Sequence, residues 1–253
     1  MAEQRQIIAP RDIALACALL TRLPVPVDAD FAARRGAGAA WAYPLAGLLV
    51  ALIAGGIGWA ALWLGLSPGL AAGLVLTGQV VMTGAMHEDG LADSADGLWG
   101  GWTRERRLEI MKDSRIGSYG VLAMVLALGL RWNALVALGA GFLPALLVAA
   151  LLSRALIVAE MAALPNARDG GMSRSIGRPG GVTVGLAMVL ATGLSLAMIG
   201  GTALLLLAIA GLAAFGCAMI ARVKIGGQTG DILGATQQVS EIAILAAATV
   251  LFS

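Results

Sequence analysis

Residues 41–64, WAYPLAGLLVALIAGGIGWAALWL, decide the fold class because they contain no charged side chain. At 1.5 Å per residue, a helix of this length crosses a hydrocarbon core of about 30 Å. The whole chain agrees with this pattern, since 59% of its 253 residues are hydrophobic, only 13% are charged and the mean hydropathy is +0.87. A soluble globule, a disordered chain and a coiled coil are therefore excluded. Two isolated cysteines, Cys17 and Cys217, cannot form a disulfide framework or a thiolate zinc site.

Further apolar stretches after this segment predict about seven transmembrane helices in all. The others lie at 70–86, at 119–164, which is long enough for two, and at 182–199, 202–221 and 232–252. Residues 13–20 are too short to cross and are followed by Pro24 and Pro26, so we expect a short interfacial or re-entrant segment there. The predicted fold is all-α, a polytopic helical bundle forming a single membrane-embedded domain over residues 1–253.

The basic residues fall on one side of the predicted bundle. Fifteen of the 17 Lys and Arg residues lie in four segments, at 1–35, 104–115, 168–178 and 222–224. Because cytoplasmic loops are enriched in Lys and Arg, we expect cytoplasmic loops at about 87–118, 165–181 and 222–231. The N-terminus shows no basic region followed by a long apolar stretch, so no signal peptide is expected.

The segment His87–Gly97, HEDGLADSADG, contains the densest group of acids. Asp89, Asp93 and Asp96 are spaced i, i+4 and i+7, which places them on one face of a helix. Three like charges repel each other, and beside a membrane they are tolerable when solvated or when bound to a cation. Carboxylate oxygens suit Mg²⁺, which is commonly shared with substrate phosphates. We interpret the stripe as a Mg²⁺ site, the alternative being a solvated acidic helix end.

A further acid, Asp231, ends the glycine-rich segment 224–231, KIGGQTGD. Glycines allow backbone N–H groups to approach a phosphate closely, and a helix beginning there adds its positive dipole end. The alternative is a plain interhelical turn with an Asp N-cap. Because both acidic segments are predicted on the same membrane face, Asp231 is a candidate fourth metal ligand.

Residues 104–120, RERRLEIMKDSRIGSYG, interleave basic and acidic side chains. An amphipathic helix at the lipid headgroups explains part of this pattern, and we leave Arg104 and Arg106 to that role. Lys112 and Arg115 are the better candidates for binding a diphosphate.

Three other ionisable positions stand out. His87, the only histidine of the chain, lies beside the acidic stripe and is interpreted as a general base or donor, the alternative being an interfacial residue. Glu160 and Glu241 lie in apolar segments, where acids are functional or pair helices, and Arg154 is a possible partner.

Five motifs in chain order are similar to those of the cobalamin synthase family, the adenosylcobinamide-GDP ribazoletransferases. They are Thr21–Pro26 TRLPVP, Tyr43–Gly47 YPLAG, His87–Gly97, Leu108–Gly117 LEIMKDSRIG and Gly226–Gly234 GGQTGDILG. The resemblance implies a bacterial, multi-pass enzyme of the cytoplasmic (inner) membrane with its active site on the cytoplasmic side. It also implies a Mg²⁺-dependent reaction of adenosylcobinamide-GDP with α-ribazole or its 5′-phosphate. The products are adenosylcobalamin or its 5′-phosphate, with GMP released.

The resemblance and the residue chemistry together assign roles within the site. We expect Mg²⁺ at Asp89, Asp93 and Asp96, with Asp231 closing the site, and His87 removing a proton or orienting the attacking hydroxyl. The residues expected to bind substrate are Arg22, Lys112, Asp113, Arg115, Gly227 and Thr229. Glu88 occupies a variable position of the family's motif and receives no role. The expected partners are the small-molecule substrates and membrane lipid but no nucleic acid, with a homo-oligomer or contact with other B12-assembly enzymes left open.

Two other classes of function compete with this interpretation. CDP-alcohol phosphotransferases and membrane prenyltransferases also hold Mg²⁺ and a diphosphate with Asp-rich motifs, but their motifs do not match the residues after Asp89. A transporter would bind a coupling ion with intramembrane acids, whereas most of the acids here lie at predicted cytoplasmic helix ends.

Overall fold

The computed structural model describes residues 7–252, and within that range the chain forms helices and turns without a β-strand. The α-helices are α1 Arg11–Leu20, α2 Ala29–Arg35, α3 Tyr43–Trp63, α4 Pro68–Thr83, α5 Met86–Gly100, α6 Arg104–Ile110, α7 Ser118–Leu138, α8 Phe142–Ala163, α9 Met172–Ile176, α10 Gly181–Ile199, α11 Thr202–Ile225 and α12 Gly230–Leu251. Two 3₁₀ helices, Gly36–Ala42 and Gly139–Gly141, precede α3 and α8. The predicted all-α class is confirmed.

Seven of these helices coincide with the predicted spans, namely α3, α4, α7, α8, α10, α11 and α12. By length and composition, four helical stretches of the described chain are able to cross a membrane, at 29–63, 118–163, 181–199 and 202–225. Helices α4 and α5 qualify as a fifth when their bent pair is counted as one span. The polytopic membrane class is therefore confirmed, whereas the count of seven crossings stays a prediction.

The stretch 118–163 contains two helices that fold back on each other. Arg131 of α7 is 2.8 Å from Glu241, and Arg154 of α8 also lies within electrostatic range of Glu241. A continuous helix would separate the two arginines by about 35 Å, so the chain must reverse between them. The reversal occurs at Gly139–Gly141, where Gly139 has a φ of +55°. Arg131 thus lies inside α7 and not in the turn.

Helix α8 forms the centre of the bundle. All residues from Ala145 to Val158 are buried, and the helix packs against α3, α10, α11 and α12. A helix that is apolar all round is expected to be surrounded by others in this way. The surrounding helices instead expose large apolar side chains such as Val125, Leu212 and Phe215, as helices that face lipid do.

The two ends of the bundle differ in polarity. The α3–α4 and α7–α8 turns meet at one end, where Leu62, Pro68 and Gly139 line a common small cavity. The polar loops 101–117, 164–180 and 226–229 contact one another at the opposite end, as in the hydrogen bonds from Arg104 to Ala167 and from Ser173 to Gln228. The segments predicted to be cytoplasmic are thus together at that end, which we call the loop end.

A sharp corner joins α4 to α5 at the loop end. Gly84 and Ala85 both adopt positive φ values, 64° and 58°, and the two helices diverge by 86°. A positive φ is uncommon and strained for alanine, and such residues often lie at functional sites. A new helix, α5, begins after this corner and packs against α7 and α12. It covers much of the segment predicted as the cytoplasmic loop 87–118.

Helix α1, which covers the segment predicted as interfacial or re-entrant, packs against α3 and the preceding 3₁₀ helix. Its Asp12 is fully buried and accepts hydrogen bonds from Arg35 and from Trp41 Nε1, at 2.6 and 2.7 Å. This ion pair attaches α1 to the segment that precedes α3.

Candidate functional site

The acidic motif and the glycine-rich segment meet where α5 crosses α12. At the crossing, a Cβ atom on Gly90 would lie 2.9 Å from the backbone oxygen of Asp231, and one on Gly234 would lie 3.3 Å from Gly90 Cα. Only glycines permit helix backbones to approach so closely. The two sequence segments, predicted to share one membrane face, are therefore in direct contact.

Three carboxylates gather beside this crossing, and we call Asp89, Asp93 and Asp231 the acidic cluster. Asp89 is exposed, while Asp93 and Asp231 are half-buried. Asp89 and Asp231 both lie within electrostatic range of Asp93, and Arg168 is the cation that partly offsets them. The cluster thus carries more negative charge than its surroundings neutralise.

Asp231 is positioned by two side chains. Its Oδ2 accepts hydrogen bonds from Arg168 at 3.0 Å and from the Thr229 hydroxyl at 3.1 Å. Thr229, predicted to bind substrate, is buried and also caps α12 by accepting a hydrogen bond from the Ile232 N–H at 3.3 Å. Within residues 7–252, Nη1 of Arg168 is buried and has no hydrogen-bond partner. Sequence reasoning missed Arg168 and counted it only as one of several basic loop residues.

Arg168 is held in place because its loop pairs with the start of the glycine-rich segment. Ala167 N–H donates to Gln228 O, and Gln228 N–H donates to Pro165 O, both at 2.8 Å. A Cβ on Gly227 would collide with the Pro165 carbonyl. Gly227, predicted to bind substrate, is thus buried in this pairing, and its observed role is to allow the two loops to approach.

Asp96 lies within electrostatic range of Asp93, but its carboxylate binds the start of α7. Its carboxylate accepts hydrogen bonds from the N–H groups of Gly117 and Gly120, at 2.7 and 2.9 Å, and so caps the first turn of α7. A Cβ on either glycine would collide with the carboxylate. The helical stripe predicted from the spacing exists, but Asp96 is engaged by α7. Its role as a metal ligand stays a prediction.

The remaining predicted substrate-binding residues lie on the surface of the loop end. Lys112, Asp113 and Arg115 are exposed, and Arg115 pairs with Asp113 at 3.2 Å. Arg22 is also exposed and lies across the corner at Gly84. No three His, Cys, Asp or Glu side chains between residues 7 and 252 converge closely enough to form a metal site by protein ligands alone.

His87 is buried, with 3% of its surface exposed, and its Nε2 has no hydrogen-bond partner within the described range. It lines a small cavity of about 60 Å³ next to the acidic cluster, together with Leu20, Tyr43, Ile157 and Met161. The alternative of an interfacial histidine is therefore wrong, and its predicted part in proton transfer is untested.

Comparison with known proteins assigns the chain to a family. The family model described as cobalamin-5-phosphate synthase matches residues 12–249. The chain belongs to this family. Curated relatives named adenosylcobinamide-GDP ribazoletransferase include those of Bradyrhizobium diazoefficiens, 48% identical over 95% of this chain and 93% of the relative, and of Mesorhizobium japonicum, 46% identical over 98% and 96%. No solved structure matches. The resemblance inferred from the five motifs is confirmed.

In this family member, the basic helix α6 has a role different from the one predicted. Arg104 donates to the carbonyls of Ile225 and Ala167, and Arg107 donates to those of Gly101 and Lys224. Cations are favourable at the C-terminus of a helix, here that of α11. Arg104, expected at the membrane surface, therefore fastens the loops beneath the acidic cluster.

A second group of charged side chains lies inside the bundle. We call Arg131, Arg154, Glu88 and Glu241 the buried network. Arg131 bonds to Glu88 and Gln238 at 2.9 Å and to Gln79 and Glu241 at 2.8 Å. Arg154 lies within electrostatic range of both acids. Sequence analysis singled out Glu241 and Arg154 but gave Glu88 no role, and the direct partner of Glu241 is Arg131.

Proposed function

We propose that this protein transfers the adenosylcobinamide-phosphate group of adenosylcobinamide-GDP to α-ribazole or its 5′-phosphate, releasing GMP. The observation that carries the proposal is the meeting of Asp89 and Asp93 of α5 with Asp231 of α12 at the loop end. Membership of the family supports the same reaction, because the curated relatives are named for it.

The reaction requires the ribazole hydroxyl oxygen to attack the phosphorus that carries the cobinamide. A new P–O bond forms to the ribazole, the P–O bond to the guanylate breaks, and the hydroxyl proton is lost. Catalysis of such a transfer depends on alignment of the two substrates and on neutralisation of phosphate charge. The residues around the acidic cluster supply both requirements.

The acidic cluster suits Mg²⁺ in the chemistry of its donors. Mg²⁺ generally binds one or two carboxylates and completes its shell with water and substrate phosphates, so three converging protein ligands are not needed. We propose that Asp89, Asp93 and Asp231 hold the ion, and Asp96 stays a predicted ligand that would first have to release α7. When bound, Mg²⁺ neutralises charge on the diphosphate and orients it.

The cations of the chain complete the phosphate site. Arg168 fixes Asp231 and has Nη1 free for a phosphate oxygen. Lys112 and Arg115 lie on an exposed loop whose last residue, Gly117, is bound by Asp96 of α5. We assign these two side chains to the diphosphate as it enters from water, and His87 to the ribazole hydroxyl.

We further propose that the loop end faces the cytoplasm of a bacterial cell and that the bundle lies in its cytoplasmic membrane. The basic residues support this orientation, because cytoplasmic loops are enriched in Lys and Arg. Fifteen of the 17 Lys and Arg residues lie in the four basic segments defined from the sequence. Neither of the other two basic residues, Arg131 and Arg154, lies in an opposite loop, because both are buried inside helices.

A turnover assay on the detergent-purified protein tests the reaction. Adenosylcobinamide-GDP is supplied with α-ribazole or its 5′-phosphate, and products are identified by mass spectrometry. We expect adenosylcobalamin or its 5′-phosphate together with GMP, both lost with a chelator and in the Asp89→Asn variant. Glu105→Gln, a substitution of an exposed acid on α6, serves as the matched control and should retain turnover. Absence of product from folded protein with both ribazole forms contradicts the proposal, whereas turnover in chelator contradicts only the Mg²⁺ assignment.

A further inference from the structure

Two cations lie side by side at the loop end, where the C-termini of α5 and α11 meet α6. Arg107 of α6 donates to the carbonyls of Gly101 and Lys224, at 2.9 and 3.0 Å. Lys224 of α11 donates in turn to the carbonyl of Leu98 in α5, at 2.7 Å. Backbone oxygens thus hold both side chains in place, and we call Arg107 and Lys224 the cation pair.

The cation pair carries more positive charge than the protein neutralises. Within residues 7–252, neither Arg107 nor Lys224 forms a salt bridge, and the two like charges lie within electrostatic range of each other. The C-terminus of a helix carries about half a negative charge, so the ends of α5 and α11 offset about one of the two positive charges. The remaining charge is available to an anion from outside the protein.

Two exposed tryptophans adjoin the cation pair. The Lys224 ammonium lies over the Trp99 ring, 4.5 Å from its centroid, and Trp99 is still 52% exposed. Trp102, in the turn between α5 and α6, is 94% exposed. An indole with so little protein contact gains nothing from facing bulk water, whereas tryptophans are enriched where a bilayer meets water. Trp99 and Trp102 therefore indicate the level of the lipid headgroups.

The lipid-facing surface of α11 ends at the same place. Leu212, Phe215 and Val223 are all exposed, and Val223 directly precedes Lys224. Apolar side chains exposed on a helix long enough to cross a membrane contact acyl chains. The headgroups of these lipids lie beyond the last apolar position, which is where Lys224 and Trp99 are located.

We propose that the cation pair, together with Trp99 and Trp102, binds the phosphate group of an anionic membrane phospholipid whose acyl chains lie along α11. Charge complementarity favours an anionic headgroup, because the positive group of a zwitterionic headgroup offsets the attraction to two cations. Long basic side chains at a helix end commonly reach the headgroup layer in this way. Such a site requires the membrane fold but not the proposed reaction.

The opposite end of the bundle supplies a matched control. Trp63 ends α3 there and is 76% exposed, but residues 53–73 contain no Lys or Arg. Trp63 shares the exposure of Trp102 without a basic residue nearby in the sequence. Trp63→Ala therefore removes an exposed tryptophan without affecting the cation pair.

Native mass spectrometry of the delipidated protein in detergent, titrated with one lipid at a time, measures the binding. We expect the wild type to bind phosphatidylglycerol more tightly than phosphatidylcholine with the same acyl chains. Lys224→Met retains an apolar stem but removes the charge, and phosphatidylglycerol binding should weaken about fivefold, as expected for one basic residue near an anionic surface. Trp102→Ala should weaken it about threefold through the lost aromatic contact, and Trp63→Ala should leave it unchanged.

Salt and soluble anions identify the source of the bound phosphate. Because the attraction is electrostatic, raising the ionic strength should weaken phosphatidylglycerol binding to the wild type and have little effect on Lys224→Met. Inorganic phosphate and GMP, each at millimolar concentration, should not displace the lipid. All of these measurements are made without turnover, so failure of the proposed reaction leaves their outcome unaffected.

Several results would overturn the lipid site. They are equal binding of the two lipids by the wild type, unchanged phosphatidylglycerol binding in the folded variants, or an equal loss in Trp63→Ala. Displacement by inorganic phosphate would identify a site for soluble anions instead, and displacement by GMP would identify part of the substrate site. Thermal unfolding in detergent shows which variants fold. If Lys224→Met does not fold, Trp102→Ala decides the test, since its side chain contacts little of the protein.

Discussion

The acidic cluster and the buried network lie side by side on α5 and α12, and they differ in the balance of their formal charges. The buried network sets Glu88 and Glu241 against Arg131 and Arg154, so its formal charges balance. Within residues 7–252, the acidic cluster sets three carboxylates against one bonded cation, Arg168. Consecutive residues, Glu88 and Asp89, thus belong to different groups. A balanced group far from water is a feature of the fold, whereas an unbalanced group at the water-facing end requires a ligand to complete it.

The largest effect is expected when a substitution removes the charge balance of the buried network. Arg131→Met leaves Glu88 and Glu241 without their direct cation, and we expect a loss of about 3–5 kcal/mol in the free energy of unfolding. Reversible unfolding in mixed detergent micelles measures the loss. Arg106→Met, an exposed cation on α6, is the control.

A compensated variant sharpens the same test. Adding Glu241→Gln to Arg131→Met leaves Glu88 against Arg154, so the formal charges of the network balance again and much of the lost stability should return. If the double variant is as unstable as Arg131→Met alone, the stability of this region does not depend on charge balance.

The next largest effect is expected in the acidic cluster, on activity. Asp93→Asn removes one carboxylate from a crowded group, and we expect turnover to fall by about 100-fold or more. Because the substitution also relieves repulsion among like charges, the melting temperature should stay the same or rise. A fall in melting temperature together with activity would show that Asp93 acts in folding, as the buried network does.

A smaller effect is expected at Arg168, which is bonded to Asp231 of the acidic cluster. Arg168→Met frees Asp231 from its 3.0 Å partner, and we expect turnover to fall about tenfold, as for other residues that orient a metal ligand. Arg168→Lys should recover part of the activity because it restores the charge without the second N–H group. Equal activities of the two variants would argue against an electrostatic role.

The smallest effect is expected for an exposed pair that belongs to neither group. Glu109 and Arg106 are 2.7 Å apart on α6, with about two thirds of each side chain exposed, 68% and 59%. Exposed pairs contribute little, so Glu109→Gln should change neither turnover nor unfolding measurably. A clear loss of activity would extend the acidic cluster to the surface of the loop end.

The sequence predicted those features that depend on the residue pattern within a single helix. Uncharged runs of about 20 residues identified the long helices, and the spacing of Asp89 and Asp93 identified a common face. The hydrogen bonds of Asp96 depend on where the next helix begins, because N–H groups at the start of α7 donate to its carboxylate. Periodicity within α5 contains no information about that neighbour.

Contacts between distant segments were beyond the sequence. Arg168 and Asp231 are 63 positions apart, and Arg131 and Glu241 are 110 apart. Pairing such residues requires knowledge of how the helices cross. The one available signal was that Arg131 and Glu241 are opposite charges in apolar segments, a combination that is costly unless the two meet.

The placement of Arg131 also bears on how the chain enters the membrane. An arginine near the middle of a span costs about 2.5–3.5 kcal/mol on insertion by the translocon, so α7 is a poor candidate for entering lipid alone. Glu88 is synthesised 43 residues before Arg131 and is available to it at once, whereas Glu241 arrives only with the last helix. Glu88 can therefore pair with Arg131 as soon as α5 and α7 meet, whereas the bonds from Arg131 to Gln238 and Glu241 form only when α12 packs against them.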